Sequence, residues 1–165
     1  MRISVRAAGL PDHEHIRRIY NQGIAERCTL ETLEKTAVDI AAWFSCHDER
    51  YAVLVAGSDG GVAGWAALNR YSSREAHAGI ADLSIYVDRA SRRLGIGALL
   101  MAAIEEHASR AAFDKIVLMT FPHNRGGRSL FDRCGFRLIG TFENQGRLDG
   151  RLVDTIAMEK LLASR

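Results

Sequence analysis

Residues 80–121 constrain this chain more than any other stretch. Ile80 to Val87 reads as a strand, a short basic loop follows, and Arg92-Arg93-Leu94-Gly95-Ile96-Gly97 opens a helix running to Arg110. Ile96, Leu99, Leu100, Ala103 and Ile104 fall on one face of that helix at its natural spacing. Lys115 to Phe121 then reads as a buried strand. Strand, helix and strand joined in this way form a crossover that sets the two strands parallel, with the helix packed across them. The rest of the chain has to be built around that unit.

The flanking segments supply antiparallel strands. Residues 2–7 alternate apolar and polar, as a half-buried strand does. After Pro11-Asp12, Ile16, Ile19, Tyr20 and Ile24 recur at helical spacing, and Ala37 to Phe44 is a second helix. Tyr51 to Ala56 and Val62 to Leu68 are strands about a Ser58-Asp59-Gly60-Gly61 turn. A short helix over Gly126 to Cys134 and strands over Phe136 to Phe142 and Leu152 to Met158 complete the order β-α-α-β-β-β-α-β-α-β-β. The expected fold is α/β (α+β), with a mixed, mostly antiparallel sheet of about seven strands flanked by about four helices. The 165 residues suit one domain spanning 1–165, and two prolines with no linker or repeat agree with that.

Composition excludes several classes. Hydrophobic residues at 47% and charged residues at 25% are globular values, so neither disorder nor a fibre is expected. The formal charge of +2 gives no phosphate track, so no nucleic-acid partner is expected. No apolar run approaches the roughly 20 residues that cross a bilayer, so no membrane partner is expected either. Cys28, Cys46 and Cys134 are widely spaced and never in a C-x-x-C pair, which speaks against a zinc site or a disulfide framework and for a reducing cytoplasm. Asp12-His13-Glu14-His15 reads as a polar helix start, because residues two apart point to different faces, and no metal is expected.

The glycine turn carries the chemistry. Backbone N–H groups at a helix start are unpaired and partly positive, and glycines there let an anion approach. Arg92 and Arg93 add charge at the rim. A dinucleotide fold lacks its third glycine here, and a P-loop lacks its Gly-Lys-Ser/Thr. The pyrophosphate of a ligand such as coenzyme A is the best guest.

Arg92-x-x-Gly95-x-Gly97 resembles the Q/R-x-x-G-x-G/A acetyl-CoA motif of the GNAT N-acetyltransferases. Asn124, Leu130, Gly135 and Phe136 fit the N-x-x-A-x-x-L-F/Y-x-x-x-G-F pattern that follows the fifth strand in that family, with Gly127 where alanine is common. The phosphinothricin and arsinothricin N-acetyltransferase branch is closer still. Tyr20-Asn21-Gln22-Gly23-Ile24, Gly64-Trp65-Ala66, Tyr71-Ser72-x-Arg74-x-Ala76 and Gly146-Arg147-Leu148-Asp149-Gly150-Arg151 all look like it. The resemblance implies acetyl-CoA as co-substrate, a small amino acid or amino-acid-like toxin as the amine acceptor, and a homodimer. By the same likeness Ser84, Ile85, Tyr86 and Val87 pair with the pantetheine arm, and Val87 or Tyr86 offers a backbone N–H to the thioester carbonyl. Arg92, Arg93, Leu94, Gly95, Ile96, Gly97 and Ala98 form the pyrophosphate turn, and Asn124 ties either the pantetheine or the splayed strand.

An amine attacks a thioester only when neutral, so a carboxylate near the acceptor is needed to take its proton. Asp82 stands where these relatives usually carry glutamate and is the expected base. It is one methylene shorter, which favours a relaying water. Arg74 is expected to hold the acceptor's carboxylate with its bidentate fork. Tyr20, Asn21 and Thr32 are expected in one wall of the acceptor pocket. Phe131 occupies the place of a tyrosine that often protonates the leaving thiolate, and it cannot donate. Two other readings stay open: a different acceptor, such as a protein N-terminus, a polyamine or an aminoglycoside, and a domain that binds acyl-CoA without turnover.

Overall fold

The computed structural model describes residues 2–59 and 61–163. Along the chain these form β1 (Ser4–Ala7), α1 (His13–Ala25), α2 (Ala37–Ser45), β2 (Val53–Ser58), β3 (Gly61–Arg70) and β4 (Ile80–Val87). Then follow α3 (Ile96–Arg110), β5 (Lys115–Thr120), α4 (Arg125–Arg133), β6 (Arg137–Leu148) and β7 (Arg151–Leu161). The seven strands make one sheet in the order β1-β2-β3-β4-β5-β7-β6. Among the described residues only β4 and β5 run parallel, joined by α3 as the crossover pattern requires. The expected turn between β2 and β3 includes Gly60, which lies outside the described residues.

Each face of the sheet carries its own core. On one side Ala81, Leu83, Ile85 and Val87 of β4 pack with Ile96, Leu100, Met101 and Ile104 of α3 and Phe131 of α4. On the other, Ile16 and Ile19 of α1 and Ile40 of α2 pack with Val53, Val55, Trp65 and Ala67, and Tyr86 of β4 leans on them. The period of two along β4 therefore sends Ala81, Leu83, Ile85 and Val87 under α3, and Asp82, Ser84 and Tyr86 toward α1 and α2.

Leu99 departs from its expected place: it is 43% exposed. The buried stripe of α3 is Ile96, Leu100, Met101, Ile104 and Ala108, a band centred one step around the helix from the one drawn through Leu99 and Ala103. The two final strands run beyond their apolar cores, to Leu148 and Leu161, because hairpin pairing continues as far as Leu148 opposite Arg151.

Candidate active site

β4 is paired unequally on its two edges. Against β3 it is matched from Ala81 opposite Arg70 to Val87 opposite Gly64. Against β5 it is matched only at Ile80, Ala81 and Asp82, opposite Lys115, Ile116 and Val117. Beyond Asp82 the two parallel strands diverge, and β5 pairs onward with β7 through Thr120. Residues 83–87 thus have, on the β5 side, a strand edge without a strand partner among the described residues. An extended amide-bearing arm laid there would find backbone groups in need of hydrogen bonds.

The glycine turn follows that edge in the chain, between β4 and α3. Gly95 caps α3 with φ at +81°, and a Cβ added to it would meet open space. The position therefore needs glycine for its backbone angle and leaves room over the helix start. Arg93 shares the left-handed region at +64°, as Arg27, Ala112, Asn144 and Asp149 do elsewhere. Gly97 serves packing: a Cβ there would lie 2.9 Å from Leu130 Cδ2, so its absence lets α4 close against α3. Leu94 is exposed, whereas Ile96 is buried in the core and only its backbone belongs to the turn.

The turn is braced by α1 and by Glu26, the residue that follows it. Arg92 Nη2 lies 2.6 Å from Glu26 Oε2, and Arg89 Nε lies 2.5 Å from Glu26 Oε1. Gln22 Oε1 accepts from the Arg89 backbone N–H at 2.9 Å, and Arg18 pairs with Asp88. On the β5 side, Asn124 Oδ1 caps α4 at the Gly127 N–H (3.1 Å), and its Nδ2 donates to Thr120 Oγ1 (2.9 Å). Its amide ties the end of β5 to the start of α4, and neither contact reaches β4. Phe131 points into the core, its ring 6.1 Å from that of Phe136.

Asp82 sits where the strands part. Burial raises its carboxyl from the ordinary 3.8 to about 6, with the Asn69 side chain opposing the rise. A base of that strength is ionised at neutral pH and accepts a proton more readily than a solvated carboxylate. Burial likewise pushes the phenols of Tyr20 and Tyr86 upward. Tyr20 stacks edge-on to both Tyr86 and Trp65, at 5.0 and 5.7 Å between centroids.

The remaining acceptor-wall residues divide. Asn21 is 9% exposed, and both ends of its amide are held by the Lys35 backbone, Nδ2 to O at 3.0 Å and Oδ1 from N at 2.8 Å. Its amide anchors the α1–α2 loop, with one N–H and one lone pair of the oxygen engaged there. Thr32 is exposed in that loop. Arg74 is exposed in the turn before β4, and its guanidinium has no partner among the described residues, so it remains free for an anion. The β6–β7 hairpin is tied to the segment that follows α1. Arg27 pairs with both oxygens of Asp149 at 2.8 and 2.7 Å, and Gly146 lies under Leu30. Sequence reasoning missed Asn69, His47 and Glu26, each of which acts on a segment distant in sequence.

A family model described as the acetyltransferase (GNAT) family matches residues 16–136. A candidate phosphinothricin acetyltransferase of Bacillus subtilis is 32% identical over 154 residues, 92% of this chain and 94% of that protein. The L-methionine sulfoximine/L-methionine sulfone acetyltransferase of Pseudomonas aeruginosa is 30% identical over 164 residues, 96% and 94% of the two chains. A GNAT phosphinothricin acetyltransferase from Sinorhizobium meliloti, solved with acetyl-CoA, superposes with a TM-score of 0.91 at 24% identity, over 98% of this chain and 89% of that one.

Proposed function

Since the chain belongs to the acetyltransferase (GNAT) family and is an N-acetyltransferase with acetyl-CoA as its co-substrate, we propose that it acetylates the primary amine of a small amino acid or amino-acid-like toxin. Phosphinothricin, arsinothricin and methionine sulfoximine are the acceptor type, and protection against such compounds is the role. The observation that carries this reading is the presence of a half-buried carboxylate, Asp82, at the fork of the strands and an arginine without a partner among the described residues, Arg74, at the same end of β4.

The residues present fit acetyl-CoA. The free edge of Ser84, Ile85, Tyr86 and Val87 would hold its pantetheine arm, and the N–H groups of Gly95, Ile96, Gly97 and Ala98 would hold its pyrophosphate, with Arg92 and Arg93 beside them. Bound there, it supplies an acetyl group already activated as a thioester. Arg74 would bind the acceptor's carboxylate and orient its amine toward the fork. Asp82 takes the amine's proton, through a water because its side chain is short. The acceptor and acetyl-CoA occupy the site together and the acetyl group passes directly between them.

Exposed Leu138, Ile139, Phe142 and Leu152 on β6 and β7 support a homodimer through the C-terminal strands. The three free cysteines support a cytoplasmic setting. The test is CoA-thiol release from acetyl-CoA against phosphinothricin, methionine sulfoximine, the common L-amino acids, spermidine and one aminoglycoside. Saturable turnover with the amino-acid-like members supports the reading. Turnover confined to the cationic amines would remove Arg74 from the site and the reading with it.

A further inference from the structure

Asn69, near the end of β3, stands directly across from Asp82. Its Nδ2 donates to the Asp82 carbonyl oxygen at 3.1 Å and to Ser84 Oγ at 2.9 Å. A flipped amide would set Oδ1 against that carbonyl, acceptor to acceptor, so the orientation is fixed by its partners. Oδ1 is thereby turned to His47, whose Nε2 lies 3.0 Å away. His47 follows α2. Its Nδ1 is 2.9 Å from the Trp43 carbonyl oxygen, and its ring packs on Trp43 with centroids 4.5 Å apart. Both ring nitrogens face oxygens that can only accept. A neutral imidazole satisfies one of these contacts and the imidazolium satisfies both. A single chain of hydrogen bonds therefore runs from α2 across β3 to two same-face residues of β4.

The consequence falls on Ser84. Its oxygen already accepts from Asn69, which leaves its proton for donation on the face of β4 that also carries Asp82. The two residues are separated by about 6.6 Å along the strand, a gap that one water spans. Resting on the reading of Asp82 as the base, we propose that His47 and Asn69 are positioning residues that orient the Ser84 hydroxyl, and that Ser84 in turn holds the water relaying the amine's proton to Asp82. In that arrangement Ser84 donates to one lone pair of the water, and the other lone pair receives the amine's proton. One of the water's own protons passes to the Asp82 carboxylate, and Ser84 keeps its proton throughout. A lone hydrogen bond of this kind is worth about tenfold in rate.

The experiment is steady-state kinetics on Ser84→Ala, Ser84→Thr, Asn69→Leu and the Ser84→Ala/Asn69→Leu double variant, with acetyl-CoA affinity measured by calorimetry. Ser84→Ala and Asn69→Leu are each expected to lower kcat about tenfold while the acetyl-CoA Kd stays within about twofold. Ser84→Thr, which keeps the hydroxyl, is expected to recover most of the loss. The double variant is expected to be no slower than the slower single, since both changes remove one device. His47→Gln, able to donate to Asn69, is expected to retain more kcat than His47→Ala. A Ser84→Ala enzyme within twofold of the parent, or a double variant with multiplied losses, overturns the proposal. Asp82→Asn separates the two readings. If it is inactive while Ser84→Ala is normal, only the relay fails; if it is active, the base assignment itself fails. Should Asn69→Leu not fold, the Ser84 pair alone decides.

Discussion

The half of the site that would hold acetyl-CoA and the half that would hold the acceptor are built from different materials. The first is mostly main chain: a strand edge left open where β4 and β5 part, and a helix start with a left-handed Gly95. It comes from one continuous stretch, residues 83–98, closed by Asn124. The second is mostly side chain, drawn from several places: Tyr20 on α1, Arg74 before β4 and Asp82 on β4. Main-chain sites depend on backbone angles that glycine and strand pattern announce locally. Side-chain sites depend on which distant residues the fold brings together, and they change with single substitutions while the frame persists.

Variants should break the two halves separately. The largest effect is expected from Asp82→Asn, which should lower kcat on the order of 10²–10⁴-fold with the acetyl-CoA Kd unchanged, read by initial rates and calorimetry. In the parent enzyme kcat should fall as pH drops through about 6, because Asp82 that already carries a proton is no longer a base able to take the amine's. Arg74→Ala should raise the KM for an amino-acid acceptor by about 10–100-fold, the worth of a charge-assisted bond, and leave that for acetyl-CoA alone. Gly95→Val should do the converse. Its left-handed backbone costs a branched residue about 1–2 kcal/mol, so acetyl-CoA binding should weaken by about tenfold while the acceptor KM holds. A Gly95 variant that loses acceptor affinity equally would show that the halves are not separable.

The smallest effect concerns stability and runs against function. The folded state raises the Asp82 carboxyl from 3.8 to about 6, so it binds that proton more tightly than the unfolded chain does. Its cost to stability is therefore absent below about pH 4, grows as pH rises toward about 6 and is complete above that. Asp82→Asn should melt higher than the parent at pH 8, by an amount of order 1 kcal/mol for a partly exposed group, or about 2–4 °C. The gain should vanish near pH 4. Thermal melts at the two pH values decide it.

How far the sequence could be read follows the same division. The element order, the single parallel pair and the crossover were all legible, because period-two and helical spacing in residues 80–121 report burial directly. The margin of error was local: Leu99 fits the α3 stripe by spacing, yet lies outside the sector that the sheet covers. Asn21 shows a deeper limit. Nothing local distinguishes an asparagine that meets a ligand from one whose amide is held by the backbone of Lys35, fourteen residues on. Glu26 is the opposite case, an unremarked residue just after α1 that binds Arg89 and Arg92 on the way into the glycine turn.

The sequence by itself determined the frame and the turn, since backbone conformation and strand burial are governed by nearest neighbours and by the spacing of apolar residues. Only the tertiary structure decided that Asp82 sits at the fork, that Asn69 and His47 stand behind it, and that Arg92 is already paired while Arg74 is free. Those outcomes turn on desolvation and on hydrogen bonds between residues far apart in the chain. Such terms have no value until the fold has set the distances.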